Sequence, residues 1–274
     1  MPSAFDTEPA GSKRFDFGEN WRHFLRGLNE TRIELAQQSL KNMLNVDSLS
    51  GKTFLDVGSG SGLFSLAARQ LGARVRSFDY DPGSVACTRR LRERFFKDDP
   101  DWIIEESSVL DRKYLETLGQ YDVVYSWGVL HHTGALWQAL ENVVPLVKPG
   151  GQLFIAIYND QGWISGYWKW VKRQFNTGYV RRLLLILLHW PYLIGLRMLV
   201  RTLRNKDRLG RGMSLWYDML DWLGGHPFEV AAPEMVMRFL GRRGFTSQRL
   251  KTCGRHHGCN EYVFVRPDLC KSSL

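Results

Sequence analysis

Eight residues, Leu55-Asp56-Val57-Gly58-Ser59-Gly60-Ser61-Gly62, constrain this chain more than any other feature. Three glycines at alternate positions, directly after an apolar run, let the backbone turn tightly at the end of a strand. They also let it pass close to a ligand, with a helix N-terminus just beyond. The dinucleotide fingerprint needs glycine at the first, third and sixth positions; counted from Gly58, the sixth is Leu63, so the loop is of another type. No G-x-x-x-x-G-K-S/T segment occurs, which excludes a P-loop.

Strand-like and helix-like segments alternate around this loop. Thr53–Val57, Arg74–Phe78, Trp102–Ser107, Asp122–Ser126 and Gln152–Tyr158 read as strands. Leu63–Leu71, Val85–Phe96 and Leu136–Leu146 read as helices between them. Such alternation implies right-handed βαβ crossovers and a doubly wound, mostly parallel α/β sheet. Apolar residues from Trp21 to Leu44 recur at helical spacing and predict an N-terminal helical cap after a polar tail. After Pro233, a helix near Glu234–Leu240 and strands near Thr246–Thr252 and Glu261–Arg266 predict an antiparallel pair closing a seven-stranded sheet.

Asp56-Val57-Gly58-x-Gly60-x-Gly62, followed 17 residues later by Asp79, resembles motifs I and II of the class I S-adenosylmethionine-dependent methyltransferases. Tyr121-Asp122-Val123-Val124 leading to Val129-Leu130-His131-His132, and Lys148-Pro149-Gly150-Gly151-Gln152-Leu153, extend the resemblance in order across residues 50–160. The resemblance implies that S-adenosylmethionine binds here. Gly58, Ser59, Gly60 and Gly62 would pass under its methionine and ribose parts, and Asp56 would reach its amino group directly or through water. Asp79 would accept hydrogen bonds from the two ribose hydroxyls, and Tyr80 would pack on the adenine. Where the family usually has Gly-Asp-Ala after strand three, this chain has Ser107-Ser108-Val109, a departure that leaves Ser108 as the acceptor and Val109 beside it. Ser126 and Trp127 end strand four next to the cofactor.

Methyl transfer from a sulfonium is an in-line displacement. The protein has to position the acceptor, exclude water and, for a protonated acceptor, supply a base. His131 and His132 form one candidate pair, although Val-Leu-His-His also serves as a helix-start element in this family. His256 and His257, within Cys253-Gly254-Arg255-His256-His257-Gly258-Cys259, form the other pair. Two thiols and two imidazoles in one loop also suit a metal, but adjacent histidines usually diverge, and no metal site is assigned.

Residues 160–226 break the βα pattern and predict a helical insertion. Trp163, Ile164, Tyr167, Trp168, Val171 and Phe175 share one helical face, with Lys169, Lys172 and Arg173 largely elsewhere. The expected division is a single methyltransferase domain over 1–274: tail and helices over 1–50, cofactor-binding core over 51–158, helical lid over 159–230, and last helix with closing strands over 231–274. Charge is uneven across it. Residues 1–160 hold 18 basic and 21 acidic residues, whereas 161–255 hold 17 and 5. The lid therefore reads as an amphipathic cover on the domain, as a peripheral contact with a membrane interface, or as the wall of a pocket for a lipophilic acceptor such as a quinone precursor.

Four cysteines in 274 residues and an acid-containing N-terminal stretch without an apolar segment predict a reduced, cytoplasmic protein. The longest uncharged apolar run, Leu183–Leu196, contains Pro191 and falls short of the ~20 residues a spanning helix needs. The favoured expectation is O-methylation of a small phenol or quinol, similar to quinone-biosynthesis O-methyltransferases in the core, with S- and N-acceptors open. A nucleic-acid methyltransferase gripping phosphates through the basic insertion is one alternative; the Asn/Asp-Pro-Pro-Tyr motif of base amino-methyltransferases is absent. A non-catalytic, membrane-associated cofactor-binding protein is the other.

Overall fold

The computed structural model describes Trp21, Leu25 and residues 27–195, 215–254 and 258–268. Seven strands form one sheet: β1 (Thr53–Val57), β2 (Arg74–Asp79), β3 (Trp102–Glu106), β4 (Tyr121–Trp127), β5 (Val147–Tyr158), β6 (Thr246–Lys251) and β7 (Cys259–Val265). Their order is β3-β2-β1-β4-β5-β7-β6. The first five run parallel, and β7 pairs antiparallel with both β5 and β6. The chain thus has the expected doubly wound sheet with an antiparallel closing pair.

Alternation along β1 assigns its two faces. Leu55 and Val57 enter a core shared with α5 (Leu136–Val143) and α9 (Pro233–Gly241). Phe54 enters the opposite core, with α1 (Glu30–Leu44), α2 (Leu63–Gln70) and α3 (Pro82–Phe95). Helix starts follow local chemistry. The Asn29 side chain accepts from the Arg32 backbone N–H at 3.1 Å and starts α1. Asp81 accepts from the Gly83 and Ser84 backbone N–H groups ahead of Pro82, so α3 begins three residues earlier than the apolar periodicity suggests.

Other boundaries shift for similar reasons. Helix α5 ends at Val143, and Val144–Leu146 is a 3-10 turn containing Pro145. Strand β5 starts at Val147, ahead of Gln152, because its pairing with β4 resumes after a register shift between Tyr121 and Val123. A short helix, α4 (Arg112–Glu116), carries no periodic signal and starts where Asp111 accepts from the Tyr114 N–H.

The insertion is helical where described: α6 (Trp163–Phe175), α7 (Tyr179–Trp190), a π-turn at Pro191–Gly195 and α8 (Leu215–Gly224). It has its own core of Trp168, Val171, Phe175, Leu185, Leu193, Ile194, Met219, Leu223 and Phe228. Among the described residues, no helix is long and apolar enough to cross a membrane.

Candidate active site

The C-terminal ends of β1, β2 and β4 meet at the glycine loop, where open parallel sheets bind ligands. The Gly58 and Ser59 backbone N–H groups both donate to the Phe78 carbonyl, tying the loop to the end of β2. Gly58 has φ +78°, and a Cβ built there would lie 2.4 Å from Cγ1 of Val129. Gly60, at φ +55°, leaves room for the Trp21 indole, whose ring lies 3.0 Å from where a Cβ would sit. Gly62 is the N-cap of α2, and the Ser59 hydroxyl pairs with that of Thr88 at 3.0 Å.

Two aspartates flank the loop in different environments. Asp79 accepts from the Gly60 N–H at 2.8 Å through Oδ2 and from the Asp81 N–H at 2.9 Å through Oδ1. Burial pushes its carboxyl up to about 6, against the pull of those N–H groups. Each oxygen keeps a further lone pair, so a vicinal diol can be received by a carboxylate already fixed in orientation. This anchored carboxylate, at the end of β2 beside the tight glycine loop, fits the ribose of S-adenosylmethionine.

Asp56 is fully buried and accepts from the Ser65 hydroxyl at 2.5 Å. Ser65 also pairs with Ser77, and Ser77 accepts from the Trp102 indole N–H. Burial drives the Asp56 carboxyl up to about 7, with Asp79 adding repulsion. The carboxylate is thus turned into the interior, toward α2 and β2, and fixes the loop from within.

The remaining residues expected around the cofactor sit close to the loop in sequence order but differ in what they do. Tyr80 is exposed immediately after Asp79. The Ser108 hydroxyl accepts from the Leu110 N–H at 3.1 Å and shapes the turn after β3, while Val109 is buried and its carbonyl accepts from Asn142. Ser126 is buried and donates to the Val57 carbonyl at 3.0 Å, locking β4 to β1 behind the glycine loop. Trp127 packs against the core containing α1 to α3.

A second constellation lies beyond the end of β5. The rings of His131, His132 and Tyr158 contact one another, with centroids 4.1 Å apart for His131–Tyr158 and 5.5 Å for His132–Tyr158. Tyr158 also meets Trp222 and Phe228. Helix α6 contributes Lys172, fully buried, whose Nζ donates to the Trp222 carbonyl and lies 4.5 Å and 4.7 Å from the Trp222 and Phe228 ring centres. His226 is buried, and the loop that follows it is fastened by the Glu229 carboxylate, which accepts from the Leu136 N–H at the start of α5.

His132 Nδ1 donates to the Pro227 carbonyl at 2.6 Å, which leaves the lone pair on Nε2. Burial first, and then the Lys172 charge, hold its pKa at about 3. His131 is fully buried; its Nδ1 accepts from the Tyr158 N–H at 3.4 Å, and its Nε2 has no hydrogen-bond partner among the described residues. Burial, His132 and Lys172 keep it neutral well below the usual imidazole range. His256 and His257 lie outside the described residues; the neighbouring Cys253 and Cys259 are half-buried thiols. Among the described residues, no group of three or more His, Cys, Asp or Glu side chains is arranged to hold a metal ion.

The structure adds Trp21 on Gly60 and Trp222 beside Lys172 to the site, while Val129 and Tyr158 lie at the strand ends where open parallel sheets bind ligands and Phe228 in the turn-rich segment 224–229. The break in βα periodicity after Tyr158 and the turn-rich segment 224–229 are the sequence signals for the residues around Lys172.

Comparison with known proteins agrees with this architecture. A family profile described as "Methyltransferase domain" matches residues 55–153. The chain is similar to a protein named ubiquinone biosynthesis O-methyltransferase from Pseudomonas paraeruginosa, 32% identical over 118 residues, covering 40% of this chain and 46% of that one. A protein of the same name from Escherichia coli is 34% identical over 116 residues, covering 42% and 46%. The matched region thus spans less than half the length of these relatives.

Among solved structures, an O-methyltransferase family protein from Burkholderia thailandensis superposes with a TM-score of 0.56 at 14% identity, covering 94% of this chain and 65% of that one. Magnesium protoporphyrin IX methyltransferase from Synechocystis PCC 6803 does so with a TM-score of 0.54 at 16% identity, covering 90% and 93%. With the sheet order, the glycine loop and the Asp79 anchor in place, residues 55–153 match the methyltransferase domain profile, and the chain has the fold of these methyltransferase structures.

Proposed function

We propose that the protein is an S-adenosylmethionine-dependent methyltransferase acting on a small molecule, with the hydroxyl of a phenol or quinol as acceptor. The Asp79 carboxylate held by the Gly60 and Asp81 N–H groups beside the glycine loop carries the cofactor half of this reading. The aromatic cluster around Lys172, and the name of the curated relatives, support the acceptor half.

When bound, the cofactor supplies the electrophilic methyl group. The chain's own part is to hold the acceptor and manage its proton. His132 Nε2 is the atom we assign to receive that proton, since Nδ1–H is committed to Pro227. Burial and the Lys172 charge hold its pKa at about 3, so the imidazole is neutral near pH 7, and the negative charge that develops on the acceptor oxygen as its proton passes to Nε2 raises the imidazole's proton affinity. The buried Lys172 ammonium favours the ionised acceptor oxygen, and His131, closed off by Tyr158, positions its neighbour. The lid core excludes water from the same space.

Calorimetric titration of the purified protein with S-adenosylmethionine and its demethylated product tests the first half. Binding by the wild type and at least ~10-fold weaker binding by Asp79→Ala is expected, from loss of charge-assisted hydrogen bonds. No wild-type binding refutes it. A methylation screen over phenols, quinols, thiols and amines tests the second half, and an S- or N-methylated product would replace the phenol or quinol assignment.

A further inference from the structure

The lid presents an apolar face to solvent. On α7, Val180, Leu183, Leu184, Leu187 and Leu188 are each between 46% and 69% exposed. The buried positions of that helix, Leu185 and His189, lie on its opposite side. A helix that is hydrophobic all round but covered on one side only has an unmet partner. Aromatic residues border the face: Tyr179, Trp190 and Tyr192 near its ends, and Trp163 and Trp170 on the neighbouring α6, all exposed. Lys169, Arg173, Arg181 and Arg182 are exposed alongside.

Charge decides what this face meets. The exposed charges of the α6–α7 hairpin are Lys169, Arg173, Arg181 and Arg182, and neither helix holds an Asp or Glu. A second copy of the chain packed face to face would bring those cations together without a counter-charge. A surface bearing phosphates would neutralise them, while its acyl boundary takes up the leucines and its headgroup layer the Trp and Tyr rings.

We infer that the α6–α7 hairpin is a docking surface for an anionic phospholipid bilayer, lying in the interface with α7 parallel to it. The lid core behind this face includes Phe228 and packs against Tyr158, so the docked face and the candidate acceptor cluster are two sides of one small structure. A lipophilic acceptor dissolved in the bilayer then has a short route to the site.

Co-sedimentation of the full-length protein with phosphatidylcholine vesicles, with and without phosphatidylglycerol, tests the inference and needs neither cofactor nor acceptor, so its outcome is separate from that of the methyltransferase reading. Binding to the anionic vesicles, weakened by salt and reduced at least ~10-fold in a Leu184→Gln, Leu187→Gln, Leu188→Gln variant, is expected. Those side chains face solvent, and circular dichroism checks that the variant keeps its fold. Should it fail to fold, an Arg181→Gln, Arg182→Gln variant is expected to lose most of the salt-sensitive binding. Absence of binding at low salt, or binding that neither variant changes, overturns the inference. So does a concentration-dependent dimer abolished by the leucine substitutions, which would assign the face to a second copy.

Discussion

Substituting Gly58 by alanine probes the tightest contact of the glycine loop. At φ +78° an L-residue sits in the left-handed region, which costs about 1–2 kcal/mol. The new Cβ would also overlap Cγ1 and Cγ2 of Val129, at 2.4 Å and 2.5 Å, and overpacking of that kind costs about 1–3 kcal/mol. Gly58→Ala is therefore expected to lower the unfolding free energy by about 2–5 kcal/mol. Val129→Ala removes the two γ carbons but leaves Cβ 2.9 Å from the new methyl group, so it relieves the overlap only in part. In a double-mutant cycle measured by urea unfolding, the pair should be more stable than the sum of the single effects predicts, by about 1–2 kcal/mol. The backbone cost should survive in the double variant. Additivity within about 0.5 kcal/mol would show that Val129 does not set the loop's position, and would refute the reasoning.

Further expectations concern charge. Asp56→Asn keeps an oxygen to accept from Ser65 and removes a carboxyl whose folded pKa, about 7, stands above its ordinary 3.8. A raised carboxyl binds more protons folded than unfolded, so its contribution is fully present below pH 3.8 and is lost as pH rises through about 7. The variant should gain stability over the wild type at pH 8, approaching ~4 kcal/mol, and little near pH 4. Equal differences at both pH values in urea unfolding would contradict this. Lys172→Met should raise the His132 pKa from about 3 without restoring the ordinary value, since burial is the larger cause; an imidazole NMR titration that does not move would exclude a charged Lys172 beside it. The Asp79→Ala titration and the vesicle experiment complete the set.

How far the sequence foretold this arrangement depends on the range of the forces involved. The five parallel strands follow from short apolar runs, and the glycine loop and Asp79 follow from spacing alone, because each is governed by neighbours in the chain. Asp56 shows the limit. Its motif points toward the cofactor, while Ser65, Ser77 and Trp102, from three different elements, turn it inward. His131 and His132 look equivalent in sequence, yet one is sealed against Tyr158 and the other fixed to Pro227 by a bond across 95 residues. Trp21 on Gly60 and the cage around Lys172 are likewise long-range contacts without local periodicity.

The lid's separate core has a kinetic consequence. Its apolar residues are distinct from those of the two cores flanking the sheet, and among the described residues Tyr158, the His132–Pro227 bond and the Glu229 contacts with His131 and Leu136 join it to the sheet domain. Segments of that kind open as cooperative units at a free energy below that of global unfolding. Amide hydrogens in α6 and α7 should therefore exchange together and faster than those of β1 and β4. An acceptor that bridges His132 and Lys172 would slow that exchange by joining the two units, making the lid's breathing rate a reporter of occupancy.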